Sequence, residues 1–123
     1  MDERYVDLKK KNIELENLQE EYNNIKKNYE EKINDLKDKK KKLIEMIDKK
    51  REYTINYLRS NENYNNELSN LNIIFRQYYD NVDIIYIENV KKINKKFRND
   101  EDEYQSKIKR LKIYIDENYK NNK

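Results

Sequence analysis

Apolar and aromatic side chains recur every seven residues along most of this chain. From Leu8, steps of seven meet Leu15, Tyr22, Tyr29, Leu36, Leu43, Lys50, Tyr57, Tyr64, Leu71, Tyr78 and Ile85, and only Lys50 breaks the series. Seven residues is nearly two helical turns, so the column is a slowly drifting stripe on a helix surface. Companions three or four residues away, namely Leu18, Ile25, Ile33, Ile47, Leu68, Phe75 and Val82, widen it. Beyond Val82 the stripe drifts to Tyr86, Val90, Ile93 and Phe97, then resumes at Tyr104, Ile108, Leu111 and Ile115. The pattern predicts amphipathic helix, and a helix with no partner would leave the stripe in water.

Two polar interruptions divide the pattern. RSNENYNNE, residues 59–67, has Tyr64 as its one apolar residue and is rich in Asn and Ser, which cap helices and sit readily in turns. RNDEDE, residues 98–103, follows Lys91, Lys92, Lys95 and Lys96. Cations at a helix end and acids at the next helix start both suit the helix dipole, and Asp100 with Glu103 has capping-box spacing.

The reading is an all-α, elongated coiled coil. It is a single coiled-coil domain over 1–123, folded as a long antiparallel helical hairpin. The first arm covers 1–59, a turn falls at 60–66, and the second arm covers 67–119; near 98–103 a bend or third helix and an unbroken helix with an exposed charge block stand as equal readings. Antiparallel pairing would set residue i near 124 minus i, bringing Lys39 to Lys42 near Asp80 and Asp83, and Glu30 and Glu31 opposite Lys92, Lys95 and Lys96. The alternative is one continuous helix in a parallel dimeric coiled coil. The seven-residue column, which crosses the turn without losing phase, speaks for it.

Composition supports helix over every other class. Gly and Pro are absent, as is Ala, so the residues that make tight turns and strand corners are missing. Lys, Asn, Ile and Tyr are abundant, a bias that an A/T-rich genome produces without functional selection. Lysine runs are therefore discounted before being read as binding sites. Net charge is only +3, from 28 basic and 25 acidic residues, which does not resemble a dedicated nucleic-acid binder. The start of the chain, MDERYVDLKKKN, has no signal-peptide hydrophobic region, and no run approaches the ~20 apolar residues that span a bilayer. With no Cys for disulfides or thiolate metal sites, an intracellular setting is expected, cytoplasmic or cytoskeletal rather than nuclear.

One stretch stands apart. NIIFRQYYDNVDIIYIENV, residues 72–90, holds eleven apolar or aromatic residues in nineteen, although 43% of the chain is charged. At 100° per residue, Phe75, Tyr78, Tyr79, Val82, Ile85 and Tyr86 share the face that continues the stripe. Ile73, Ile84 and Ile87 fall opposite, where a two-helix hairpin leaves them wet. Covering three Ile side chains is worth on the order of 5 to 9 kcal/mol before ordering costs, so a further helix or another subunit is expected there.

Chemistry is sparse. There is no His or Cys, which removes the commonest neutral-pH proton shuttle and the thiolate nucleophile. Ser60, Ser69, Ser106 and Thr54 stand in no nucleophile-elbow or phosphate-loop pattern, since both need Gly. No catalytic, cofactor-binding or metal site is expected, and the acidic block at 100–103 lacks the Gly-turned loop of a calcium site.

The expected function is non-enzymatic: a structural or scaffolding subunit, or spacer, of a multi-protein assembly. It would act through helix–helix contacts with a protein of helical surface or with itself. The candidate partner-interface residues are Leu8, Leu15, Leu18, Tyr22, Ile25, Tyr29, Leu36, Leu43, Ile73, Phe75, Tyr78, Val82, Ile84, Ile85 and Ile87. The alternative is a nucleic-acid-binding helical module using Lys39, Lys40, Lys41, Lys42, Lys91, Lys92, Lys95 and Lys96. Acidic neighbours dilute those clusters, and Arg76, Asp80, Asp83 and Glu88 rule the apolar stretch out of a membrane.

Overall fold

The computed structural model describes residues 3–121; residues 1, 2, 122 and 123, which the expected 1–123 domain includes, lie outside them. Two helices, α1 (Glu3–Leu58) and α2 (Tyr64–Asn121), pack against each other as a helical hairpin, and no strand occurs among the described residues. The continuous-helix alternative is thereby set aside.

The connection is residues 59–63, Arg-Ser-Asn-Glu-Asn. It turns without glycine and without any positive backbone φ among the described residues. Local hydrogen bonds do the work instead. The Asn61 N–H donates to the Leu58 carbonyl at 2.9 Å and the Tyr64 N–H to the Asn61 carbonyl at 3.2 Å. The Asn61 side-chain oxygen accepts the Asn63 N–H at 3.2 Å, an Asx turn that holds one of the donors a helix start leaves unpaired. The Asn63 carbonyl then accepts the Glu67 N–H at 3.0 Å and opens α2, with Glu67 placed in the first turn, where acids suit the dipole. The turn is three residues shorter at its far end than the expected 60–66, because Tyr64 and its neighbours already belong to α2.

Of the two readings of 98–103, the unbroken helix holds and the break does not. α2 runs through these residues, and no third helix occurs among the described residues. The reason lies in what the acids do. Asp100 and Glu101 are half-buried and accept hydrogen bonds from tyrosines of α1, so they serve the helix pairing and not a helix start.

Two compact units divide the contacts. The terminal unit joins residues 3–31 to 93–121, and the turn unit spans 32–92. Within each, the two helices run antiparallel, close to the expected rule of i opposite 124 minus i. Examples are Tyr114 with Asp7 in the terminal unit and Lys40 with Asp83 in the turn unit.

Burial follows a spacing of three and four that averages about 3.6, the period of an ordinary helix. On α1 the half-buried positions include Leu15, Leu18, Tyr22, Ile25, Ile33, Leu36, Lys40, Ile44, Ile47, Arg51 and Leu58. On α1 the seven-residue column therefore stays in the seam only to Leu36, and on α2 it is inward at Tyr64 and Leu71 before turning out again. A straight helix rotates such a column by ~20° per heptad, and Leu43, Tyr57, Tyr78 and Ile85 end on the surface, at 47%, 74%, 51% and 57% exposure. Ile44, Leu58, Tyr79, Val82 and Tyr86 take up the inward places. The buried hydrophobic residues are Tyr29, Phe75 and Leu111, which is thin support for helices of 56 and 58 residues.

Candidate helix-pairing surfaces

In the terminal unit the seam is polar at its edges. The Tyr22 hydroxyl donates to Glu101 at 2.7 Å and that of Tyr29 to Asp100 at 2.7 Å, both from α1 to α2. Tyr104 donates to Glu21 at 3.4 Å and Tyr114 to Asp7 at 2.8 Å, in the opposite sense. Tyr22, Tyr29 and Tyr104, buried or half-buried, send their hydroxyls to carboxylates at the rim, which is how a buried Tyr satisfies its polar end, and the more exposed Tyr114 makes the same kind of bond from the surface. The rings also meet one another. Tyr29 lies 5.2 Å from Phe97 and Tyr22 lies 6.4 Å from Tyr104, centre to centre, within the range of favourable tilted aromatic pairs.

These carboxylates act on the phenols. The hydrogen bond to Glu101, then burial, then the carboxylate charge raise the Tyr22 pKa, slightly opposed by a hydrogen bond with Gln105. Asp100 raises Tyr29 in the same order of causes. Tyr114 is raised by its hydrogen bond to Asp7, by that charge and by burial, with Lys11 opposing. For Tyr104, burial leads and Glu21 follows, with Lys107 opposing. Ionising any of them would set a phenolate beside a carboxylate.

The turn unit carries fewer such pairs. Tyr79 donates to Asp48, whose hydrogen bond and charge, together with burial, raise the Tyr79 pKa against the pull of Arg51. Arg51 donates to Asn72 at 3.0 Å. Lys40 pairs with Asp83 at 2.9 Å and lies 4.7 Å from the centre of the Tyr86 ring. That ion pair is one expected from antiparallel pairing, and it draws one lysine of the 39–42 cluster into the seam.

The remaining expected site residues separate into two groups. Leu8, Leu15, Leu18, Tyr22, Ile25, Tyr29, Leu36, Phe75 and Val82 lie along the contact between α1 and α2. Leu43, Ile73, Tyr78, Ile84, Ile85 and Ile87 are exposed. Among the lysines proposed for nucleic acid, Lys39, Lys41, Lys42, Lys91, Lys92, Lys95 and Lys96 are exposed and Lys40 is half-buried.

The turn unit also holds a groove of about 910 Å³, which the heptad pattern does not reveal. Ile47, Lys49, Lys50, Tyr53 and Thr54 of α1 form one wall, and Phe75, Tyr78, Asn81, Val82 and Ile85 of α2 form the other. Phe75 is its buried floor, and the edge of its ring meets Tyr78 at 5.7 Å. Above the floor, Tyr53, Tyr78 and Ile85 are more than half exposed. A pattern step of 3.6, used in place of seven, would have placed these residues beside the seam. Numbering the pairs by 124 minus i would have brought Asp100 and Glu101 to the neighbourhood of Tyr22 and Tyr29.

Among the described residues, no cluster of acidic side chains is arranged to hold a metal ion, and no helix is long and apolar enough to cross a membrane. No family model matches the chain, and no characterised protein or solved structure does so either.

Proposed function

We infer that this protein is a non-enzymatic scaffolding subunit that works by offering helix surface to other helices. The observation that carries the reading is the apolar surface of the turn unit. Ile73, Ile84 and Ile87 on one side of α2, and Tyr78 and Ile85 on another, stand 49% to 59% exposed. Scattered exposed apolar residues need no explanation, but contiguous patches mark interaction sites. The polar pairs of the seam fit the same reading, since hydrogen-bonded tyrosines fix register where a purely apolar stripe would slide.

The test is a photo-crosslinking amino acid, benzoyl-phenylalanine, placed singly at positions 78, 84 and 85 in the cells that make the protein, with position 20 as the polar control. Crosslinks to protein from at least one of the turn-unit positions and none from position 20 are expected. Crosslinks absent from all three positions overturn the reading.

A further inference from the structure

We propose that the groove of the turn unit is closed by a second copy of this chain, two hairpins meeting groove to groove as a two-fold symmetric four-helix bundle. The proposal rests on the helix-pairing reading and deepens it by naming the partner.

Area is the first argument. Leu43, Met46, Tyr53 and Tyr57 recur at heptad spacing on α1, beside the seam, at 47%, 58%, 76% and 74% exposure. Tyr78 and Ile85 do so on α2 at 51% and 57%. In an antiparallel pair these two stripes flank the seam on the same side, as the shared lining of the groove by Tyr53, Tyr78 and Ile85 shows. At those fractions the six side chains present on the order of 700 Å², close to what each partner gives a standard interface, ~800 Å². Three are tyrosines, a residue type enriched at the energetic centres of interfaces.

Charge is the second argument, and it selects the occupant. The α1 stripe carries Lys50 between Met46 and Tyr53, with Lys39 one turn before Leu43, both exposed. The α2 stripe has no lysine from 67 to 88 and is bounded by exposed Glu67 and Glu88, each seven residues from a stripe member, Ile74 and Asn81. The α1 flank carries lysine within its apolar stripe, whereas the α2 flank is neutral between two glutamates, its next lysine on that spacing being Lys92. A two-fold axis running along the helices lays α1 of each copy over α2 of the other, so the lysine-bearing stripe meets the glutamate-bounded one twice. The hairpin thus carries both halves of its own complement. Four helices also enclose a core that two cannot.

Sedimentation equilibrium on the full chain tests this. The wild type is expected to be a dimer. Tyr78→Glu with Ile85→Glu should weaken it by at least ~100-fold, since charges would enter an apolar contact. Ile84→Glu with Ile87→Glu, on the far side of α2, should change the dissociation constant less than ~3-fold, as surface substitutions do. Helix content by circular dichroism accompanies each. Should the groove glutamates unfold the chain, Tyr78→Ser with Ile85→Ser removes apolar area without inserting charge and is expected to weaken the dimer in the same direction. A monomeric wild type, a dimer lost equally through positions 84 and 87, or an assembly larger than two overturns the proposal. A monomer whose positions 78 and 85 crosslink to a different protein overturns the second copy and leaves the scaffolding reading intact. A monomer with no crosslinks overturns both.

Discussion

The terminal and turn units are built from the same two helices, yet they treat their tyrosines differently. In the terminal unit Tyr22, Tyr29, Tyr104 and Tyr114 reach across to carboxylates. In the turn unit Tyr79 does so, while Tyr53, Tyr57 and Tyr78 stand out from the surface. The terminal unit ties four of its tyrosines into its own pairing while Tyr5 and Tyr119 stay exposed, and the turn unit ties in one. The tyrosines that meet a carboxylate of the other helix are the ones that tie the two helices together at their edges. The terminal unit is latched by polar bonds at the seam edge, and the turn unit is held on an apolar floor.

The largest effect that would sharpen this contrast is at that floor. Phe75→Ala should cost about 3 kcal/mol in urea unfolding, the low end for a buried Phe because the void opens into the groove. Leu111→Ala in the terminal unit should cost nearer ~2 kcal/mol. A Leu111 variant that is the more destabilised of the two would break the comparison.

Next comes the latch. Tyr29→Phe keeps the ring and removes the donor to Asp100, and should cost about 1 to 1.5 kcal/mol, the range for a hydrogen bond to a charged group with partial solvent access. The same bonds set a pH dependence. Folded-state tyrosine pKa values lie above the unfolded value, so their stabilisation is fully present below about pH 10. It is lost as pH rises through the raised folded values. The paired variant Tyr22→Phe with Tyr29→Phe should flatten the alkaline fall of the thermal midpoint. An unchanged alkaline slope would mean the latch tyrosines ionise as freely when folded as when unfolded.

The smallest effect is at Lys40. Its partner Asp83 is half exposed, so Lys40→Met should change stability by no more than ~1 kcal/mol, and less in high salt. A larger loss that persists in high salt would show that the stacking on Tyr86 carries the contact.

Much of this architecture was legible in the residues themselves. The hairpin could be read from Asn and Ser at 59–66 and from the opposition of Lys40 to Asp83. The period could not be read as well, because a strict count of seven matches the seam from Leu8 to Leu36 and again at Tyr64 and Leu71, and drifts out of it elsewhere. Leu43, Tyr78 and Ile85 looked inward by that count and face out. The acids at 100–103 misled for a different reason. An Asp or Glu run suits a helix start and a tyrosine partner equally well, and only the pairing across the hairpin decides between them. The groove was hidden because it is made by two stripes distant in sequence, each unremarkable alone.

The turn made without glycine has a consequence for how the chain reaches this state. Closing the contact of Arg51 with Asn72 spans 21 residues, whereas Tyr114 with Asp7 spans 107. Loop-closure entropy separates the two by about 1.4 kcal/mol if each must form from open coil. Zippering outward from residues 59–63 is therefore the cheaper order of events, with the distant latches fastening last. The first part to close is also the part with an apolar flank, so that flank is assembled before the terminal latches fasten.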